Sequence, residues 1–338
     1  MLLKKNVILT VLVVFLLGLT TSLCGCGSQP AQEGTDGKEE VWPKDTITLV
    51  VPYNAGGGVD RLARAVAPFL KEELGVPVIV ENKPGGGGIV GTEAFLKETA
   101  DGSMILHQLQ PYVTSGDLRG ASFSVNDFAF FANMFGSAQA IFVKSDSPYQ
   151  NLSDLLDAMT QKRLTFSYIP GSFMLLGPVM LGELVNTEPV GVPYDGGGPS
   201  RMALISGEVD FLCSDLYSTK SATGGDTRVL AIFDNERDEL FPDYPTVNEE
   251  LKAIGIDAEL PQLGNMYFSV ASKELSEKYP DRYEKIVQAY ENAFQKQELI
   301  DQLNKVGMYP NYLPPEEIER MSKEIDGVIN KYKDIWVN

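Results

Sequence analysis

The stretch Ile47-Thr48-Leu49-Val50-Val51-Pro52-Tyr53-Asn54-Ala55-Gly56-Gly57-Gly58-Val59-Asp60 decides the fold class. A run of apolar and β-branched residues ends at a proline. Three glycines follow, and then Leu62, Val66, Phe69 and Leu70 recur at helical spacing. That pattern predicts a strand, a loop of exposed backbone and a helix. A second such unit comes at once. Residues 76–81 read as a strand, Asn82-Lys83-Pro84-Gly85-Gly86-Gly87-Gly88 as a loop, and 89–98 as a helix. Glycine lets a ligand approach the backbone closely, and N–H groups at a helix N-terminus carry partial positive charge. Two such loops side by side suit a carboxylate or a phosphate.

Working outward, strand and helix patterns alternate along most of the chain. Further strands are expected at 104–106, 140–143, 164–167, 189–192, 209–212, 229–233 and 266–271, with helices at 152–159, 175–185 and 199–206. The alternation means an α/β protein with largely parallel sheets. Two more strand–glycine–helix junctions stand at Ser167 to Ser172, which includes Gly171, and at Tyr194-Asp195-Gly196-Gly197-Gly198-Pro199. Ligands of open α/β sheets sit outside the carboxyl ends of the strands. Two junctions in each half of the chain therefore imply two lobes facing one cleft. Near the C-terminus, Ile318, Met321, Ile325, Val328, Ile329 and Tyr332 form a helical stripe expected to pack as core.

The first residues read as an export signal. Lys4 and Lys5 precede a short apolar run at 7–19, and Leu23-Cys24-Gly25-Cys26 is a lipoprotein-like box. The expectation is a signal peptide over 1–25, a lipidated Cys26, and a polar tether over 26–41 that holds the protein to the outer face of the cell membrane. The chain carries a net charge of −18. Loss of Lys4 and Lys5 makes the remainder more acidic still. Such a surface argues against nucleic-acid binding, which rests on Lys and Arg meeting phosphates. Of the three cysteines only Cys213 lies beyond the signal region, in an apolar run that marks it as a buried residue. One Cys and one His do not make a zinc site, so no metal or cofactor is expected.

Other chemistries find little support. Gly86-Gly87-Gly88-Ile89-Val90-Gly91 matches the dinucleotide pattern, but the next strand ends at His107-Gln108 with no acid for a ribose. Neither glycine cluster continues into the Gly-Lys-Ser/Thr of a phosphate loop. His107 is the only histidine and has no partner motif for hydrolysis; it reads either as a crevice residue or as a satisfied edge residue. Asp60 is expected to cap the following helix, or to shape the glycine loop.

Trp42-Pro43, the quoted stretch running on to Arg64, Val80 to Gly88, Asp101-Gly102, Val192 to Pro199, Gly207-Glu208-Val209-Asp210 and Phe241 to Val247 together resemble the extracytoplasmic solute receptors of tripartite tricarboxylate transporters, the TctC or Bug family. The resemblance implies a two-lobed, periplasmic-binding-protein-like "Venus flytrap". Lobe 1 would comprise 42–139 plus 266–338, and lobe 2 would comprise 140–265. It also implies a monomeric, non-enzymatic protein that captures a small organic carboxylate and hands it to membrane permease subunits. A ligand-sensing receptor for a membrane signalling partner is the alternative. By position, one ligand carboxylate would meet Tyr53, Asn54, Ala55, Gly56, Gly57 and Asp60 with Pro84, Gly85, Gly86, Gly87 and Gly88, largely through backbone N–H groups and without an arginine. The distal end would meet Ser167, Gly171, Ser172, Tyr194, Asp195, Gly196, Gly197 and Asp215. Relatives often carry polar residues early in the helix before Gly182, where this chain has Phe173-Met174-Leu175-Leu176. From that departure a monocarboxylate with an apolar or aromatic body is expected.

Overall fold

β1 (Ile47–Val51) lies between β2 (Val78–Asn82) and β3 (Met104–Gln110) and runs parallel to both. Buried on both faces except at Thr48, it reads as a run of apolar and β-branched residues rather than an alternating one. The computed structural model of the protein describes residues 42–98 and 100–337. The expected signal peptide, Cys26 and the tether lie outside the described residues. The other strands are β4 (Phe128–Lys144), β5 (Thr165–Tyr168), β6 (Val190–Pro193), β7 (Phe211–Asp215), β8 (Thr227–Ile232) and β9 (Gly264–Ser272). The longer helices are α1 (Gly58–Leu74), α2 (Ile89–Leu96), α3 (Tyr112–Leu118), α4 (Leu152–Gln161), α5 (Leu176–Leu184), α6 (Gly197–Ser206), α7 (Leu216–Thr223), α8 (Val247–Ala253), α9 (Lys273–Lys278), α10 (Pro280–Phe294), α11 (Gln297–Asn304) and α12 (Pro315–Lys331).

The strands run in the order β2-β1-β3-β9-β4-β7-β5-β6, with β8 on the other side of β4. The two halves of this α/β, two-lobed fold meet in β4. Its first part, up to Ala138, pairs with β9. Its second part, from Gln139, lies between β7 and β8. All of β4's pairings and the β3–β9 pairing are antiparallel. The largely parallel sheet expected from the alternation therefore holds only within β1–β3 and β5–β7. The chain has to return between halves, and its crossing strands enter each sheet against the local direction.

Each half has its own core. Leu49, Leu62, Val66, Phe69 and Leu70 pack with Phe131, Phe135, Tyr290 and Phe294 in the first half. Ile141, Leu152, Leu155, Phe166, Phe173, Leu176 and Phe211 do so in the second. Fully burying one such side chain is worth about 1.5–3 kcal/mol. β1 leads into α1, whose apolar face is the one the 3.6-residue spacing marks, and Gly75 ends that helix in a left-handed turn with its N–H on the Lys71 carbonyl. The C-terminal helix α12 is not confined to the first half. Ile318 sits in a first-half cluster with Val113 and Phe268, whereas Ile329 is buried in the second-half core. A helix of 17 residues is about 25 Å long, enough to touch both.

His107 lies in β3, which is flanked by β1 and β9, so it is neither an edge residue nor a crevice residue. It is fully buried, and its Nε2 lies 2.7 Å from the Tyr290 hydroxyl. Burial pushes its pKa down to about 3. The folded protein thus keeps a neutral imidazole where the unfolded chain, titrating near 6.5, takes up a proton. Stability from this group is complete above pH 6.5 and is lost as the pH falls toward 3. We expect chemical denaturation between pH 6.5 and 4 to show a loss of about 1.4 kcal/mol per pH unit beyond that of His107→Gln. Parallel pH profiles for the two proteins would show the assignment to be wrong.

Candidate functional site

Asp60 organises the first glycine loop. It is 2 % exposed, accepts the Gly56 N–H at 2.8 Å, and is bonded by Asn82 Nδ2 and Arg64 Nε at 2.9 and 3.0 Å. Asn82 also donates to the Tyr53 carbonyl, tying the end of β2 to the loop after β1. Burial raises the Asp60 pKa, but the bonds from Arg64, Gly56 and Asn82 outweigh it and hold the carboxyl below its usual range. Of the two readings of Asp60, shaping the loop is the one these contacts describe; its side chain makes no cap bond at the N-terminus of α1. The Gly57 N–H is taken by the Asn54 carbonyl. The N–H groups left for a ligand are those in the first turn of α1, which a helix cannot satisfy internally. Asn54, Ala55, Gly56 and Gly57 are exposed.

The second loop explains its own composition. Gly85, Gly86, Gly87 and Gly88 all have positive φ, from 58° to 145°. Side chains rarely adopt such conformations, and four in succession leave glycine as the residue that fits. A Cβ on Gly88 would stand 3.0 Å from the Tyr53 ring, and one on Gly87 would stand 3.1 Å from the Arg119 guanidinium. Pro84 is exposed at the loop's start. Tyr53 bonds the Gln108 side chain and meets the Tyr112 ring edge-on at 5.4 Å between centroids.

Arg119, not expected at the site, links the halves. It follows α3, and its Nε donates to the Ser115 carbonyl at 3.0 Å. Its guanidinium lies against Gly87 on one side and Gly171 on the other, where a Cβ would come within 2.9 Å. Nη2 is buried with no hydrogen-bond partner. Burial depresses its pKa, with the Tyr112 and Tyr53 hydroxyls nearby. The Ser115 hydroxyl donates to the Gly171 carbonyl at 2.8 Å. The two halves are therefore in direct contact at this end of the cleft.

The other end gathers Arg61, Arg201, Tyr267 and Asp215. Arg201 follows the Gly196-Gly197 turn at the start of α6, with Nη1 2.9 Å from a Cβ built on Gly197. Burial, then the like charge of Arg61, lowers its pKa, against the opposing pull of Asp215 and Tyr267. Neither Arg61 nor Arg201 makes an ion pair among the described residues. The Tyr267 hydroxyl lies 3.1 Å from where a Gly58 Cβ would be, beside the first turn of α1. Asp215 caps α7 through the Ser218 N–H at 2.8 Å, while its Oδ2 is buried without a partner. Burial raises its pKa.

Other expected residues are used differently. The Ser167 hydroxyl is fully buried and engaged with Ser200, tying β5 to α6. Ser172 bonds the Ile169 carbonyl at 2.7 Å and lies within reach of the Tyr112 hydroxyl. The Tyr194 hydroxyl is buried with no hydrogen-bond partner, the nearby Glu208 carboxylate raises its pKa, and Asp195 is exposed. Gly196 supplies the positive φ of the turn, 116°. Phe173 and Leu176 lie in the second-half core, and Met174 packs in the cluster of Leu212 and Leu216. That apolar run is core, which removes the ground for expecting an apolar ligand body. Cys213 is buried, with its thiol pKa pushed up by burial.

A family model described as the tripartite tricarboxylate transporter family receptor matches residues 62–335. The chain belongs to this family. The family is one of solute-binding receptors rather than an enzyme class. Among curated relatives, a protein of Cupriavidus necator named for the gbd 5' region is 28 % identical over 315 residues, covering 90 % of each chain. Protein BugT of Bordetella pertussis is 28 % identical over 222 residues, 62 % of this chain and 67 % of its own. MatC from Rhodopseudomonas palustris, solved with bound malate, superimposes with a TM-score of 0.70 at 23 % identity, over 87 % of this chain and 100 % of that one. Another R. palustris protein, solved with adipate, gives 0.73 at 21 %, over 88 % and 98 %. These likenesses show the two-lobed fold of solute-binding proteins. Among the described residues no helix is long and apolar enough to cross a membrane.

Asp60→Ala removes the acceptor for Gly56 N–H and Asn82 at once. It should cost about 1–3 kcal/mol in thermal or denaturant unfolding. Exposed Asp195→Ala should stay within about 0.5 kcal/mol of the parent. Equal losses would show that Asp60 does not organise the loop.

Proposed function

We propose that this family member captures a small organic acid between its two halves and delivers it to the permease subunits of a tripartite tricarboxylate-type transporter, held at the outer face of the membrane through lipidated Cys26. The observation that carries the reading is Arg119, set between Gly87 of the second glycine loop and Gly171 of the other half, with its Nη2 buried and unpartnered. A carboxylate there would receive a charge-assisted bond from the guanidinium, and the backbone N–H groups of the α1 turn, beside Tyr267, would serve the ligand's other end.

The far end of the cleft supports a second acidic or strongly polar group on the ligand. Arg61 and Arg201 place two positive charges together with only the single carboxylate of Asp215 within reach of Arg201. Like charges brought together cost free energy that an anion would relieve. Malate and adipate, the acids bound in two structurally similar receptors, are both dicarboxylates. The reading for this chain is therefore a dicarboxylate spanning Arg119 and the Arg61–Arg201 pair, with protein in monomeric form.

A thermal-shift screen of the purified protein against mono-, di- and tricarboxylates at fixed pH and salt tests it. A ligand at about 100 times its Kd adds about 2.7 kcal/mol of stability. Dicarboxylates should give the largest shifts. Arg119→Ala should weaken the best ligand about 10- to 100-fold, the worth of one charged hydrogen bond. A best ligand without an acidic group, or full affinity in Arg119→Ala, would sink the proposal.

A further inference from the structure

A cavity of about 420 Å³ lies at the outer edge of the crossing strands. β4 is the last strand of the first half's sheet, and Leu313 bridges to its Asn133 along the free edge. β3 and β9 separate this place from the glycine loops, none of whose residues line it. Its walls come from both halves and from α12, and it is outside the site described above.

Its chemistry is one-sided. The charged residues lining it are Asp234, Asp238 and Glu324, and no Lys, Arg or His is among them. Glu324 is exposed and paired with Arg320. Asp238 accepts the Tyr217 hydroxyl at 2.5 Å and the Leu240 and Phe241 N–H groups at 2.9 and 3.0 Å. Asp234 accepts the Asn235 N–H at 2.7 Å. Neutral donors satisfy oxygen lone pairs but leave the two formal charges uncompensated. Burial, with the Asp238 charge adding to it, holds Asp234 above the usual carboxylate range.

A second observation points the same way. Asn133, on the cavity wall, is 2 % exposed; its Nδ2 donates to the Asn311 carbonyl at 2.9 Å, and its Oδ1 is buried with no partner. The wall thus offers an orphan acceptor beside carboxylates, and a guest has to bring donors. Met266 of β9 and Met321, Ile325 and Val328 of α12 give the rest of the lining an apolar character. A bare metal ion would make no use of that lining, and no group of three metal-ligating side chains occurs among the described residues. An ammonium carries three donors and no acceptor, and the volume is that of a small-molecule site.

We infer that this cavity is a binding site for a small organic cation, with an ammonium head against Asp234, Asp238 and Asn133 and an apolar body against α12. The site stands whether or not the cleft takes an acid. Titration calorimetry of the intact protein with hexylamine, and with 1-hexanol as the uncharged match, tests it. Hexylamine should bind with a Kd of about 1 mM or below, and hexanol at least tenfold more weakly. Asp234→Asn should weaken hexylamine at least tenfold. Val328→Trp, checked for cooperative unfolding, should abolish binding by filling the space. Equal binding of amine and alcohol, no amine binding, or amine binding unchanged in Asp234→Asn would overturn the inference.

Discussion

Backbone hydrogen bonding along Phe128–Lys144 is the constraint on which the rest of the structure depends. A single strand belongs to both halves, and every buried N–H and C=O along it has to find a partner on one side or the other. At the crossing, Gln139 N–H bonds the Leu263 carbonyl, Phe233 N–H bonds the Gln139 carbonyl, and Leu263 N–H bonds the Phe233 carbonyl. These bonds close the handover from one sheet to the next without an orphaned peptide at Gln139. They also fix where β7 and β9 can lie, and hence how the strand ends that carry the glycine loops face those of the second half. Register shifts near Phe130, Asn133 and Ile141 bend β4 around the crossing.

The candidate site has to attract an anion within a chain of net charge −18. Helix N-termini alone carry about half an elementary charge each and act over short range. The three arginines change the local balance. Arg119 is packed between loops of both halves, and Arg201 stands near Arg61 with Asp215 and Tyr267 opposing the repulsion between them. Distant acids are screened over about 8 Å at physiological salt. The half-buried guanidinium of Arg119 is screened less, so the local field can oppose the global one.

Much of this was legible in the chain. The β1 and β2 units were readable because an apolar run, a glycine cluster and a 3.6-residue stripe each report a different physical requirement, and all agree. The family followed from the same motifs in their order. The first part of β4 was not legible: Phe128 to Phe135 is buried on both faces, so its run lacks alternation, and Gly136-Ser137 reads as a break although the strand runs through it to 140–143. Arg119 has no sequence signal while the strand is read to end no later than Gln108, because β3 runs on to Gln110. Had it been extended to Gln110, Pro111-Tyr112 would have stood out as a fifth strand-end junction, with Ser115 and Arg119 one and two turns further on. Tyr267 and Arg201 gave no local signal, since their place in the cleft comes from pairing distant in sequence. The Phe173–Leu176 run misled because an apolar segment beside a binding junction looks the same whether it faces a ligand or a core.

Arg119 touches Gly87 in one half and Gly171 in the other. Those two contacts exist together only while the halves meet. A ligand arriving in an open cleft would encounter the α1 turn first and the completed guanidinium clamp afterwards. Under the proposed function, such a clamp would belong to the residence time of a captured solute rather than to the speed of its capture.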